Sequence, residues 1–360
     1  MCIRDRSVMV SFNSVGGLKM HAHGPLIDLL KGSGDNGHGL QKLNWDGVVI
    51  TDWDGVSAIP VPSGTKDAYK ERVKLSINAG CDIFMFPYSW KQFITSTNEL
   101  VEEGSVSVDR IDDAVKRILR LKFRLGLFEE NDKALDESAF ASAEGIALNE
   151  ELARKSLVLL KNDEINGSPI MQQLADMDKI FVAGRGGDNI GMQCGGWSLK
   201  HQGFDGNLTR GSSILSGLQR LKGVDSVKYS KTGEGITDEY DAVIVAIGES
   251  GYAEDAGQRV NLDLQEEDKE VLNKAKESGL PVVVVLLSGR PMEIGDYLEQ
   301  MDGLVAAWLP GSDGGNAIAD VLFDEKYDFV GKSSLPWAWS VKQFPLTYNC
   351  LLYTSDAADD

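Results

Sequence analysis

Short apolar runs alternate along the chain with longer stretches in which apolar residues recur every three or four positions. Residues 8–14 (VMVSFNS), 47–51 (GVVIT) and 82–86 (DIFMF) read as strands. Val48-Val49-Ile50 is apolar and β-branched throughout, as in a strand buried on both faces. Residues 25–31, 66–79 and 90–103 carry helical spacing between them, and 32–40 (GSGDNGHGL) reads as a flexible loop. Strand–helix alternation of this kind predicts a parallel sheet. Residues 108–128 predict a strongly amphipathic helix, with Ile111, Ala114, Val115, Ile118, Leu121 and Leu125 three or four apart. Asp109, Asp112 and Asp113 open it and Arg and Lys dominate its end, as the helix dipole favours. Such a helix could close a domain.

Residues 129–148 show no strand pattern and read as a linker. From 149 a second α/β unit begins. A helix is expected through 150–155, followed by the apolar run 156–162; strands are expected at 179–183, 224–229, 241–247, 281–287 and 303–308, separated by helices near 212–221, 264–278 and 316–323. This predicts an open, mostly parallel sheet with helices on both faces. The first unit offers only three strands, and a closed parallel barrel takes eight. It is therefore a small three-strand sheet or the rear part of a barrel. The abrupt start at Val8 favours the barrel, because exposed parallel edges are normally covered.

Charge narrows the choice of ligand. The net charge of −19 argues against a nucleic-acid partner, which needs a basic face. No apolar run is long enough to span a membrane. Residues 1–7 and 347–360 connect to nothing beside them and read as foreign sequence, so the remainder is expected to be a piece cut at both ends. Cys81 and Cys194 are then the two native cysteines; neither has metal-ligand spacing, and both read as small core residues.

Three loops carry candidate chemistry. Asp52 follows the run 48–51 at once, and ligands of parallel α/β sheets sit beyond the C-terminal strand ends. Asp52 is thus a candidate for catalysis or, alternatively, a helix cap. Residues 245–254 (VAIGESGYAE) run from a strand into a loop with two carboxylates, Glu249 and Glu254. Gly251 and Gly257 are expected there to permit unusual backbone angles. This is a binding loop or a solvated turn. Residues 192–203 (MQCGGWSLKHQG) gather an aromatic, an imidazole and amides, as a sugar platform or as core. Gly184 to Gly187 echo a dinucleotide loop only faintly, and Gly311 to Gly315 precede a helix whose free N–H groups could hold an anion. No HExxH, CxxC or GxSxG is present, which leaves metal and serine-hydrolase readings without support.

Taken together, these loops resemble the two-domain glycoside hydrolases of family 3, the β-glucosidases and exo-β-glucanases. The resemblance is carried by 8–14 with Lys19-Met20-His21, by 47–55 with Thr51-Asp52-Trp53, by Ala79-Gly80-Cys81-Asp82, and by 110–115, 124–128 and 154–162. It continues through Gln193-Cys194-Gly195-Gly196-Trp197, Tyr252-Ala253-Glu254, 287–291 and 307–311, in the family's order. It implies an α/β fold: the C-terminal part of a (β/α)8 barrel of about three strands at 8–128, the linker, and an α/β sandwich domain with a mostly parallel sheet at 149–346. It implies Asp52 as nucleophile and Trp53 as a wall of the aglycone subsite. Glu254 becomes the acid/base, with Glu249 as the fallback. Phe12, Trp197, His201 and Gln202 fall to substrate binding. No metal or cofactor is implied.

The expected partners are β-linked glucosides or oligosaccharides, hydrolysed with retention from non-reducing ends in the periplasm or outside the cell. Retention requires two carboxyl groups roughly 5–5.5 Å apart, one ionised and one protonated. Alternatives are a non-catalytic carbohydrate-binding relative, or a β-xylosidase or β-N-acetylglucosaminidase of the same family. The sequence assigns no oligomeric state. It also departs from the family. Val15-Gly16 replace an aromatic and an asparagine, His201 replaces a second tryptophan, and Val56-Ser57-Ala58 stand where an arginine is common. The first five barrel strands, which carry glucose-binding residues in the family, have no counterpart, so the fragment is expected to be inactive alone.

Overall fold

A computed structural model describes residues 6–32, 40–129, 140–338 and 340–343. The chain forms two compact units, Met1–Leu135 and Asp136–Asp360. Most of the loop expected at 32–40, most of the first flank, the whole of 347–360, and residues 130–139 of the expected linker lie outside the described residues.

Unit one is built on β1 (Ser7–Val10), followed by a hairpin of β2 (Ser14–Val15) and β3 (Leu18–Lys19). Gly16 and Gly17 at its tip have φ of 56° and 82°, the paired left-handed geometry that two-residue hairpins require. Then come α1 (Gly24–Lys31), β4 (Val48–Thr51), α2 (Ala68–Ala79), α3 (Trp90–Glu102) and α4 (Val108–Arg124). β1 and β4 pair in parallel, Ser7 opposite Val48 through Val10 opposite Thr51.

The strand expected at 82–86 is reduced to one parallel bridge, Ile50 to Ile83. The cause is local. A carboxylate oxygen of Asp82 accepts the Val49 N–H at 2.9 Å, so a side chain takes the place of a strand carbonyl. Phe84, Phe86 and Phe93 then pack ring on ring, with centroids 4.8 to 6.4 Å apart.

In α4 an arginine edge makes contacts beside the half-buried apolar stripe. Arg110 reaches the carbonyls of Ile77 and Cys81, and Arg117 those of Trp45 and Gly47. Ile111 packs on the core, whereas Val115, Leu119 and Phe123 are exposed.

Unit two opens with α5 (Ala143–Ser156), which begins inside the expected linker because Ser142 caps it through the Gly145 N–H. β5 (Val158–Asn162), a short hairpin of β6 (Glu164–Ile165) and β7 (Ser168–Pro169), and α6 (Ile170–Gln173) follow. The remainder is β8 (Ile180–Ala183), α7 (Ile190–Cys194), α8 (Ile214–Lys222), β9 (Val227–Ser230), β10 (Ala242–Gly248), α9 (Glu266–Glu277), β11 (Val282–Leu287), β12 (Gly303–Trp308) and α10 (Gly314–Phe323). The sheet order is β5-β12-β11-β10-β8-β9, parallel except for β5.

Both faces of this sheet are covered. Val182, Ile244, Val283 and Val305 pack with Ile214, Leu218 and Ile318 on one side. Phe181, Val243, Val284 and Leu304 pack with Val271 and Leu272 on the other. The alternation follows from the two-residue side-chain period of a strand. From β8 the chain steps outward to β9, then returns to lay β10 on the opposite side of β8. The strand order reverses between β8 and β10, and in open α/β sheets the crevice beyond such a switch point is where ligands bind.

Candidate active site

Asp52 lies immediately past the end of β4 and is half-buried. Its loop is tied on two sides. The Thr51 N–H donates to Ile83 O at 2.9 Å, Thr51 Oγ1 accepts from the Met85 N–H at 2.9 Å, and the Asp54 N–H donates to Met85 O at 2.9 Å. On the other side the Asp52 N–H donates to His21 Nε2 at 3.1 Å. The Asp52 carboxylate accepts from the Trp53 N–H at 2.7 Å. The helical turn that follows, Gly55–Ala58, has Asp54 at its cap position, so Asp52 caps no helix. Asp54 is turned away into a left-handed conformation (φ 48°) and accepts from Ser57 Oγ.

Two aromatics expected beside Asp52 are available to a ligand. Trp53 is 58% exposed and stands edge-on to Tyr88, and Phe12 is 46% exposed with its ring 5.7 Å from His21. His21 itself is fully buried. Burial holds its imidazole below the usual histidine range, while Asp52 pulls it up and Lys19 pushes it down.

An imidazole whose proton affinity is depressed by folding stabilises the fold above about pH 6.5. That stability is lost as pH falls from there towards the folded-state value, because the unfolded chain binds the extra proton. We predict that the unfolding free energy drops between pH 7 and pH 5, by at most about 1.4 kcal/mol per pH unit from this group. The drop should be smaller in His21→Gln, measured by urea titration at both pH values; equal drops would refute it.

In unit two the candidate loops gather at the β8–β10 switch point. Glu254 opens a short helical turn, Glu254–Gly257, and is exposed, with a side chain 62% accessible. It holds a left-handed conformation (φ 52°), as do Trp197 (61°) and Leu199 (56°). Strain of this kind in non-glycine residues concentrates at functional sites. Gly251 and Gly257, expected to supply unusual angles, have ordinary ones. Gly257 is required instead because a Cβ would run into the Tyr252 ring.

His201 Nε2 lies 3.2 Å from a Glu254 carboxylate oxygen, and the Trp197 ring meets His201 edge-on at 4.5 Å. Trp197 is 69% exposed. Gln202 spends both ends of its amide on Ala253: Nε2 donates to Ala253 O at 3.1 Å and Oε1 accepts from Ala253 N–H at 2.9 Å. It thereby clips the peptide preceding Glu254 to the 197–203 loop.

Glu249 is a different kind of group. It is 3% exposed and ion-paired with Arg290, at 2.8 Å from Nη2, and with Arg259 at 3.1 Å. The Arg290 guanidinium also lies over the Tyr252 ring, 4.4 Å from its centroid. Burial, then the nearby Glu249 charge, push the Tyr252 phenol up.

Sequence reasoning gave no role to His21, Tyr88, Tyr252 or Arg290. All but Tyr88 sat within motifs already noted, Lys19-Met20-His21, Tyr252-Ala253-Glu254 and 287–291. The other weak signals are absorbed by structure. Gly315 N–H and Asn316 N–H bond to Ser212, which removes the anion site expected at 311–315. Gly186 N–H bonds to Ala246 O, and Arg185 pairs with Asp268 at 3.0 Å.

One unit has a parallel strand that ends in an acid, and the other a doubly covered sheet whose switch point carries a second, exposed acid; together they make an α/β protein. The glycosyl hydrolase family 3 N-terminal domain matches residues 4–121 and the family's C-terminal domain matches 157–358; the chain belongs to glycosyl hydrolase family 3. It is similar to the exo-1,3/1,4-β-glucanase ExoP of a Pseudoalteromonas species, with a TM-score of 0.80 and 36% identity, covering 96% of this chain and 55% of that one. It is 26% identical to the periplasmic β-glucosidase of Salmonella typhimurium, over 96% of this chain and 48% of the relative. It is 28% identical to a β-xylosidase of Formosa agariphila, over 95% of this chain and 48% of the relative. The chain thus spans about half the length of the curated relatives it matches.

Proposed function

We propose that the protein carrying this chain is a retaining, exo-acting β-glucosidase or β-glucanase. Asp52 supplies the nucleophile and Glu254 the acid/base. The observation that carries this reading is a half-buried carboxylate tied in place just past a buried parallel strand, in a chain whose two halves both match the family. The Asp52 carboxylate attacks the anomeric carbon while the Glu254 carboxyl gives its proton to the departing glycosidic oxygen. A glycosyl ester on Asp52 results. The Glu254 carboxylate then takes a proton from water, the water oxygen attacks the anomeric carbon, and the Asp52 carboxylate leaves. Trp53, Phe12, Trp197 and His201 line sugar or aglycone sites, and Gln202 acts by holding the Glu254 loop.

Glu254 is favoured over Glu249 because it is exposed, whereas Glu249 is buried between two guanidinium groups. In the full-length protein, Glu254→Ala should abolish hydrolysis of a β-linked glucose disaccharide. It should spare the first step on aryl glucosides with good leaving groups, which need no proton. Azide should restore turnover and yield the β-glycosyl azide. The same pattern from Glu249→Ala, with Glu254→Ala behaving as wild type, would reassign the role.

The β-xylosidase relative motivates a second reading, in which the sugar is xylose. Comparison of kcat/KM on nitrophenyl glucoside and xyloside separates the two. Residence in the periplasm or outside the cell fits the Salmonella relative's name, and cell fractionation tests it.

A further inference from the structure

We propose that His21 is the positioning residue for Asp52, a buried imidazole whose Nε2 lone pair holds the Asp52 amide and thereby aims its carboxylate. The inference rests on the reading of Asp52 as nucleophile. The geometry is specific. The hairpin closed by Gly16 and Gly17, together with Met20 N–H donating to Asn13 O at 3.1 Å, delivers the turn Met20–Ala22 beneath the end of β4. The His21 side chain there is fully buried, so it cannot touch a sugar, and Nε2 accepts from the Asp52 N–H at 3.1 Å.

A backbone N–H only donates, so Nε2 must carry the lone pair and the ring proton belongs on Nδ1. Nδ1 is buried without a hydrogen-bond partner among the described residues. Leaving a buried polar atom unpaired is unfavourable, and such an atom in a folded protein calls for an explanation. The explanation here is that the ring is committed through its other nitrogen. Gly55 makes room for it, since a Cβ at that position would overlap the imidazole. The 83–85 segment ties one side of the loop and His21 ties the other. Without His21 the Asp52 amide has no acceptor and the loop that carries the carboxylate loses one of its two ties.

The test uses the full-length protein with wild-type, His21→Leu, His21→Gln and Asp52→Asn forms. Leucine fills the space and offers no acceptor, whereas glutamine carries a carbonyl oxygen that can take the Asp52 N–H. His21→Leu should lower kcat about 10²-fold with KM little changed, the scale expected of a small misplacement of a reacting group. It should slow labelling of Asp52 by a 2-fluoro-glucoside to the same degree, and His21→Gln should recover most of the loss. Wild-type kcat in His21→Leu, alongside an inactive Asp52→Asn, overturns the proposal and leaves the nucleophile standing. An active Asp52→Asn overturns the nucleophile and this inference with it. If His21→Leu does not fold, nitrogen-15 NMR of the wild-type imidazole decides. A protonated Nδ1 and bare Nε2 near neutral pH support the proposal, and a protonated Nε2 overturns it.

Discussion

Asp52→Ala should lower kcat on an aryl β-glucoside by roughly 10⁴-fold or more in the full-length protein, the scale seen when a nucleophile is deleted. Asp54→Ala, two residues away, should lose far less. The difference lies in their anchoring. Asp52 follows the buried β4 directly, and its peptide is held by His21 on one side and by the 83–85 segment on the other. Asp54 is a turn residue whose carboxylate is occupied by Ser57 Oγ at 2.9 Å. Added azide provides the sharper readout. With the nucleophile gone, azide attacks from the vacated side in a single inversion, so the product should be the α-glycosyl azide. Substantial activity in Asp52→Ala, or a β-azide product, would move the nucleophile elsewhere.

The second large effect concerns stability. Asp82 is the hub of unit one. One carboxylate oxygen accepts from Lys31 Nζ at 2.8 Å and from Arg110 Nη2 at 2.6 Å, and the other accepts the Val49 N–H at 2.9 Å. The Asp82 side chain is fully buried, and those of Lys31 and Arg110 are 8% and 14% exposed. Burial holds the Lys31 ammonium below its ordinary range, and the bond to Asp82 opposes that. Asp82→Ala leaves Lys31 and Arg110 with the half-exposed Asp113 as their remaining acid, and it orphans the Val49 N–H of β4. Breaking a buried ion pair from one side typically costs about 3–5 kcal/mol. Urea unfolding followed through hydrogen exchange at Val49 should show a loss of that size, and Asp82→Asn, which keeps the Val49 bond, a smaller one. An unchanged midpoint in Asp82→Ala would show that solvent screens the cluster.

Element positions were legible wherever the signal was local. The run at 48–51, the β-branched stretch of β11 and the capped, periodic α2 and α4 fall within a few residues of their expected bounds. Two of the three strands expected in unit one and the doubly covered sheet in unit two followed from the same patterning. The third strand was misread because Asp82 looks like a strand's first residue, yet its carboxylate replaces the strand bond. The amphipathic stripe of α4 suggested a helix that closes a domain, but its guanidinium contacts to backbone carbonyls left no mark in the apolar pattern.

The chain by itself determined where β4 ends and that an acid follows, because hydrophobic alternation and turn chemistry act over a few residues. Only the tertiary structure decided which of Glu249 and Glu254 is exposed, since Glu249 is buried between Arg259 and Arg290, the latter 41 residues from it in sequence. Only it brought β8 beside β10 and His21 beneath Asp52. Partner choice across such separations is set by which packing of the whole unit buries apolar surface while leaving few polar groups unpaired, and no local pattern records it.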